Sequence, residues 1–200
     1  MSEFEVFLDD DDKDKKEGGG NPMLAYMIKS RTIIVSKGVD DDLARSVISQ
    51  LFVLEQEEAD KPITVIVNSP GGSADCGFAI LDAMRFVRCP IRTITMGLSA
   101  SAGVMIHLGG DAGKRFVSAN ARFLLHQPSM RSMGQASDLE IVASEIERIK
   151  KVYNRIVSEA TTKSLEEVER AVDRDFWLSA EESVEWGLAD RIVTKRSEIE

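Results

Sequence analysis

The order of apolar patterns along the chain predicts an α/β domain built from parallel-type crossovers. Three observations carry that prediction. Short β-branched runs alternate with stretches of helical periodicity. Gly- and Pro-bearing junctions separate the two kinds of segment. Two hundred residues, 43% of them hydrophobic, suit one globular domain with a sizeable core.

The elements follow in order. "RTIIVS" reads as a strand. Asp40, Asp41 and Asp42 then offer caps to a helix with Leu43, Ala44, Val47, Ile48, Leu51 and Leu54 on one face. "ITVIVN" is a short buried strand broken by Ser69-Pro70-Gly71-Gly72. A second helix carries Phe78, Leu81, Met84 and Val87 and stops near Pro90. "IRTITM" is another strand, running into "TMGLSASAG", after which Ala100 to about Leu108 suits a buried helix. "LGGDAGKR" is a turn between that helix and a strand, since Leu108 and Arg115 break its likeness to a phosphate-binding loop. "RFLLH" is a strand ending in a polar group. The longest periodic segment, Ser137 to Thr161, places Leu139, Val142, Ile146, Ile149, Tyr153 and Ile156 at helical spacing. A short helix at Leu165 to Val172, a strand near Phe176, and "AEESVEWG" with Gly187 as C-cap complete the order.

Charge and composition exclude several classes. The formal net charge of −9 argues against general nucleic-acid binding. The first twenty residues hold eight acids and three lysines, predicting an acidic mobile arm over residues 1–22, neither a secretory signal nor a transit peptide. No run is long and apolar enough to span a bilayer. Cys76 and Cys89 lack metal-type spacing and read as ordinary reduced thiols of a cytoplasmic protein.

The small-residue stretch holds two serines, Ser99 and Ser101, at a strand-to-helix junction where α/β folds gather ligands. A serine hydroxyl needs a base to become a nucleophile, and the chain has only two histidines. His107 lies six residues beyond Ser101 in the same predicted helix, roughly 9 Å along the axis and on another face. It reads as a partly buried helix residue. His126, at a strand end, can reach a neighbouring junction. The orienting acid is either Asp173 or Asp175, both entering an apolar segment where a carboxylate needs a partner. Periodicity leaves that choice open. Backbone N–H groups at "NSPGGS", or after a serine at a helix start, suit a developing oxyanion.

Taken together, "NSPGGSADCGFAILDAM", "TMGLSASAG", "GKRFVSANARFLLHQP", "GQASDLEI" and "DRDFWLSAEESVEWGLAD" resemble ClpP, the proteolytic-subunit family of the Clp protease. The resemblance implies Ser101 as nucleophile, His126 as base and Asp175 as acid, with the amides of Gly72 and Ala102 as oxyanion donors. It implies a crotonase-type spiral α/β head over residues 23–196, a protruding handle over about 134–161, and a tail at 197–200. It further implies seven-membered rings stacked in pairs through the handles, with Asp173 and Arg174 pairing across the rings. A Clp-type ATPase unfoldase would dock in a cleft at Phe86, Ile94, Met96 and Phe116 and deliver unfolded proteins. No cofactor or metal is called for.

Two departures stand out. Thr64 and Ile66 occupy cleft positions where the family usually shows aromatics, and the acidic arm replaces an apolar pore segment. Either would suit a specialised subunit working beside a second ClpP-like chain. The alternatives are an inactive ring subunit, which would have lost a triad member, and a crotonase-type acyl-CoA enzyme, which would use acids rather than a Ser-His pair.

Overall fold

A computed structural model describes residues 22–129 and 132–199. The expected acidic arm lies, up to residue 21, outside the described residues. A seven-stranded sheet carries the architecture. Its main path runs β1 (Thr32–Val35), β2 (Ile63–Ser69), β3 (Ile91–Ala100), β4 (Arg115–Ser118) and β7 (Arg191–Val193), all parallel. β5 (Arg122–Leu125) runs parallel to β3, and β6 (Phe176–Leu178) antiparallel to β5.

The helices are α1 (Pro22–Lys29), α2 (Asp41–Glu57), α3 (Ala74–Phe86), α4 (Ala102–His107), α5 (Ala136–Thr161), α6 (Leu165–Ala171) and α7 (Ala180–Trp186). Local chemistry sets their ends. The Asp40 carboxylate caps α2 by accepting from the Leu43 N–H at 2.8 Å. Reciprocal boxes, Ser164 with Glu167 and Ser179 with Glu182, start α6 and α7. Gly187, at φ 88°, ends α7 as the sequence predicts. No helix among the described residues is long and apolar enough to cross a membrane.

Two apolar layers cover the sheet. One packs α2 and α3 on β1–β3 through Leu51, Val65, Ile80 and their neighbours. The other joins α4, the end of α5, α6 and α7 around Phe123, Val157 and Leu188. Four sequence expectations need correction or extension. β3 continues through Ala100, so α4 starts at Ala102 rather than Ala100. His107 is wholly buried rather than partly so. α1 and β7 form where local periodicity is too short to read. The apolar stripe of α5 is buried only from Tyr153 onward, and Leu139 and Ile141 stand exposed.

One irregularity in β3 positions everything that follows. The register of β2 on β3 shifts between Val67 and Ser69, opposite Gly97, whose φ is 91°. The Asn68 side chain fills the space, accepting from the Leu98 N–H at 3.2 Å, and a Cβ on Gly97 would stand 2.8 Å from its Oδ1. Before the bulge, Thr93–Thr95 pair with β4; after it, Leu98–Ala100 pair with β5. The bulge therefore hands the end of β3 from one neighbour to the other.

Candidate active site

Three strand ends converge beyond that bulge. Ala100 pairs with Leu124, and the Ser101 N–H donates to the Leu124 carbonyl at 2.9 Å. Two residues past Leu124 stands His126. β6 then pairs Phe176 with Leu125, so the register continued by one step sets Asp175 opposite His126. Asp173 falls past this position.

Ser101 makes the whole turn from β3 to α4 by itself. Its φ of 52° and ψ of −119° lie outside the ordinary regions for an L residue. Such a conformation costs about 1–3 kcal/mol and persists only where the surroundings impose it. The imposing groups are the Leu124 carbonyl behind and α4 ahead. Ser99 takes no part: its hydroxyl is fully buried between strands without a hydrogen-bond partner.

The Pro-Gly-Gly turn packs directly on this junction. A Cβ on Gly71 would stand 2.6 Å from the Ala100 carbonyl oxygen and 3.2 Å from the Ala102 nitrogen. Glycine is required there by contact as well as by its φ of 87°. Val39 pins the turn from outside, donating its N–H to Gly71 and accepting from the Ser73 N–H, both at 2.8 Å. Those bonds leave the Gly72 N–H without a partner among the described residues. The Ala102 N–H, first in α4, has no acceptor within its helix.

Ser101 and His126 line the same small pocket, with Ala74, Phe78, Met105, Ile149 and Tyr153. Both also line an adjoining groove of about 380 Å³ that runs past Gly72 and Asp75 to Ile146. The His126 ring is held at 2.7 Å from the Gln127 carbonyl oxygen through Nδ1. A carbonyl only accepts, so Nδ1 carries a hydrogen, and in the neutral ring Nε2 is then the nitrogen with the lone pair.

Asp175 departs from the sequence expectation. It is exposed rather than buried in an apolar segment, and among the described residues no hydrogen bond joins it to His126. Gln127 Nε2 donates to the Asp173 carbonyl at 3.0 Å and to its Oδ1 at 2.7 Å, holding the approach to β6 on its own account. Gln127 was invisible to sequence reasoning because its role depends on which strand β5 meets. Arg174 and Asp173 are both exposed, their charged groups 4.0 Å apart.

The second histidine serves the core. His107 Nε2 donates to the Leu188 carbonyl at 3.2 Å, and Nδ1 accepts from Thr95 Oγ1 at 2.9 Å. Burial first, then the nearby Arg115 charge, push its pKa down to about 3. Both thiols are buried and free; Cys76 Sγ contacts Asp41 Oδ1 at 3.0 Å. Among the described residues no cluster of histidine, cysteine and carboxylate side chains suits a metal ion.

The four expected cleft residues are not all in one place on this chain. Ile94 and Met96 line a cleft of about 490 Å³ with Thr64, Ile66, Val193 and Ile199. Phe116 is buried against Ile94, Val193 and Ile199. Phe86, by contrast, is 77% exposed at the end of α3, where it meets Phe52 edge-on.

Comparison with known proteins agrees with this architecture. The family model "Clp protease" matches residues 15–196. The ATP-dependent Clp protease proteolytic subunit 2 of Treponema pallidum (strain Nichols) is 40% identical over 183 residues, covering 92% of each chain. A point mutant of ClpP1 from Listeria monocytogenes superposes with a TM-score of 0.83 at 34% identity, over 89% of this chain and 99% of that one. With a family match and a relative of that length, a strand-end serine and a β5-end histidine sharing one pocket, this chain belongs to the Clp protease family of serine peptidases.

Proposed function

We propose that the chain is the proteolytic subunit of a compartmentalised ring protease and cleaves peptide bonds through Ser101, His126 and Asp175. His126 Nε2 takes the Ser101 hydroxyl proton as Oγ attacks the peptide carbonyl. The imidazolium then protonates the departing amine, and water repeats the sequence on the acyl-enzyme. The Gly72 and Ala102 N–H groups receive the developing oxyanion, and the dipole of α4 adds to them. Asp175 takes over Nδ1–H from the Gln127 carbonyl when the loop before β6 closes on His126.

One observation carries the reading: Ser101, in its enforced backbone conformation, lines one pocket with a histidine whose Nε2 is the free nitrogen. Treatment with a serine-directed fluorophosphonate tests it. Peptide mapping should locate the adduct at Ser101, and His126→Ala should abolish it. An adduct at Ser99, or none in an assembled sample, overturns the assignment.

Family membership supports seven-membered rings stacked in pairs, joined through the first part of α5, with Asp173 and Arg174 pairing across the rings. It also supports docking of a Clp-type ATPase that delivers unfolded substrates in the cytoplasm. The cleft at Ile94 and Met96 would receive it, completed by Phe86 and Phe52 from a neighbouring subunit. Electron microscopy of the particle, with and without such an ATPase, tests ring number and docking together.

A further inference from the structure

Among the described residues that line the groove beside Ser101 and His126, Asp75 is the only carboxylate, and no lysine or arginine joins it there. It sits in the first turn of α3 and is exposed. An acid at that position suits the helix dipole. The cap itself, however, is the Ser73 hydroxyl, which accepts from the Cys76 N–H at 3.3 Å. The Asp75 carboxylate makes no hydrogen bond and no ion pair with the described residues. The wall that α5 adds is of another kind. Ile146 and Ile149 present apolar surface, and the groove, at about 380 Å³, has room for a long side chain.

We infer that Asp75 makes this groove select substrates that carry lysine or arginine within two residues of the scissile bond. The inference rests on the proposed role of Ser101 and adds a substrate class to it. Lysine and arginine join an apolar stem to a cationic head. In the groove the stem lies along Ile146 and Ile149 while the head reaches the Asp75 carboxylate. A neutral side chain of similar length gains the stem contact alone. An acidic one meets a like charge, which costs affinity. The small pocket lined by Phe78, Met105 and Tyr153 adjoins the groove and sets its own demand on the residue it holds.

The test uses the full-length assembled chain and internally quenched peptides that differ at one residue, from two before the cut to two after it. Each position carries Lys, Gln or Glu in turn, and mass spectrometry confirms that the same bond is cut. At one position or more, kcat/KM should rank Lys over Gln by about fivefold, with Glu lower still. Raising the ionic strength from about 0.05 M to about 0.5 M should shrink the Lys-to-Gln ratio, since salt screens an exposed pair. Asp75→Asn should bring that ratio near one, and Asp75→Lys should turn the order towards Glu. Each ratio compares peptides on one sample, so any loss of folded protein cancels. A wild-type ratio below about twofold at every position, or one that survives in folded Asp75→Asn, overturns the inference. Fluorophosphonate labelling of wild-type Ser101 reports the nucleophile separately. Labelled protein without the preference sinks the role of Asp75 alone; unlabelled protein sinks the reading beneath it.

Discussion

His126 donates its Nδ1 hydrogen to the Gln127 carbonyl at 2.7 Å, while Gln127 itself grips Asp173 through its side-chain amide. One residue thus holds the tautomer of the histidine and tethers the loop that carries Asp175. The arrangement leaves Nε2 in the form a general base needs before any carboxylate has approached.

Asp175→Asn should leave the chain folded and assembled but lower kcat by about a thousandfold or more. An asparagine lacks the charge that stabilises the imidazolium, and its amide can donate to Nδ1 and fix the wrong tautomer. Steady-state kinetics on the assembled particle checks this. A loss below tenfold would mean that Gln127 alone suffices.

Ser101→Ala should fold normally and lose peptide hydrolysis by several orders of magnitude. Ser99→Ala should do the opposite. Its hydroxyl is buried and unpaired, so removing it should keep turnover and raise stability by up to about 1 kcal/mol. Urea midpoints and fluorogenic-peptide turnover on the same samples separate the two serines.

Stability should fall in mildly acidic solution because of His107. Its folded pKa, about 3, lies below the ordinary value of 6.5. Above pH 6.5 both folded and unfolded forms are neutral and the group confers no pH dependence. Between 6.5 and about 3 the unfolded chain takes up a proton that the folded chain refuses, so stability is lost as pH drops. By about pH 5 the loss from this group should approach 2 kcal/mol. Urea midpoints at about pH 7.5 and pH 5 should converge in His107→Gln more than in the wild type.

Arg31→Ala should destabilise the fold by about 2–3 kcal/mol without altering turnover per folded molecule. The Arg31 guanidinium donates to the carbonyls of Leu54 at 3.0 Å, Glu58 at 2.9 Å, Lys61 at 3.0 Å and Pro62 at 3.3 Å. It thereby closes the end of α2 and the turn into β2. Arg31→Lys should recover only part of the loss, since an ammonium cannot span four carbonyls. Thermal and urea denaturation decide it.

The residues that the sequence displayed best are those whose role is local. Asp40 at the head of α2 and Gly187 at the foot of α7 act within one helical turn, and both act as read. Elimination made His126 the candidate base, because only two histidines exist. Asp175 could not be separated from Asp173 from the residues alone. The choice depends on β6 meeting β5 antiparallel at Phe176, which no spacing within either segment encodes. The contact of Gly71 with Ala102 joins segments thirty residues apart, and only the closed turn reveals it. Tyr153 sat in the periodic stripe of α5 and read as core; periodicity registers that a side chain faces inward, not whether its oxygen finds company.

α5 begins at Ala136 but has buried residues in this chain only from Tyr153 onward, with Val152 packed against the same core. Its first ten residues extend roughly 15 Å along the axis before Ile146 reaches the groove wall. Held mainly by their own hydrogen bonds, those turns form a lever whose local opening need not unfold the body. Ile146 and Ile149 follow it and form part of the groove wall, so the width of the groove beside Ser101 would follow how stiff that lever is. Whatever quiets its amide-proton exchange with solvent would, by the same act, fix the width of the groove that Ser101 and His126 line.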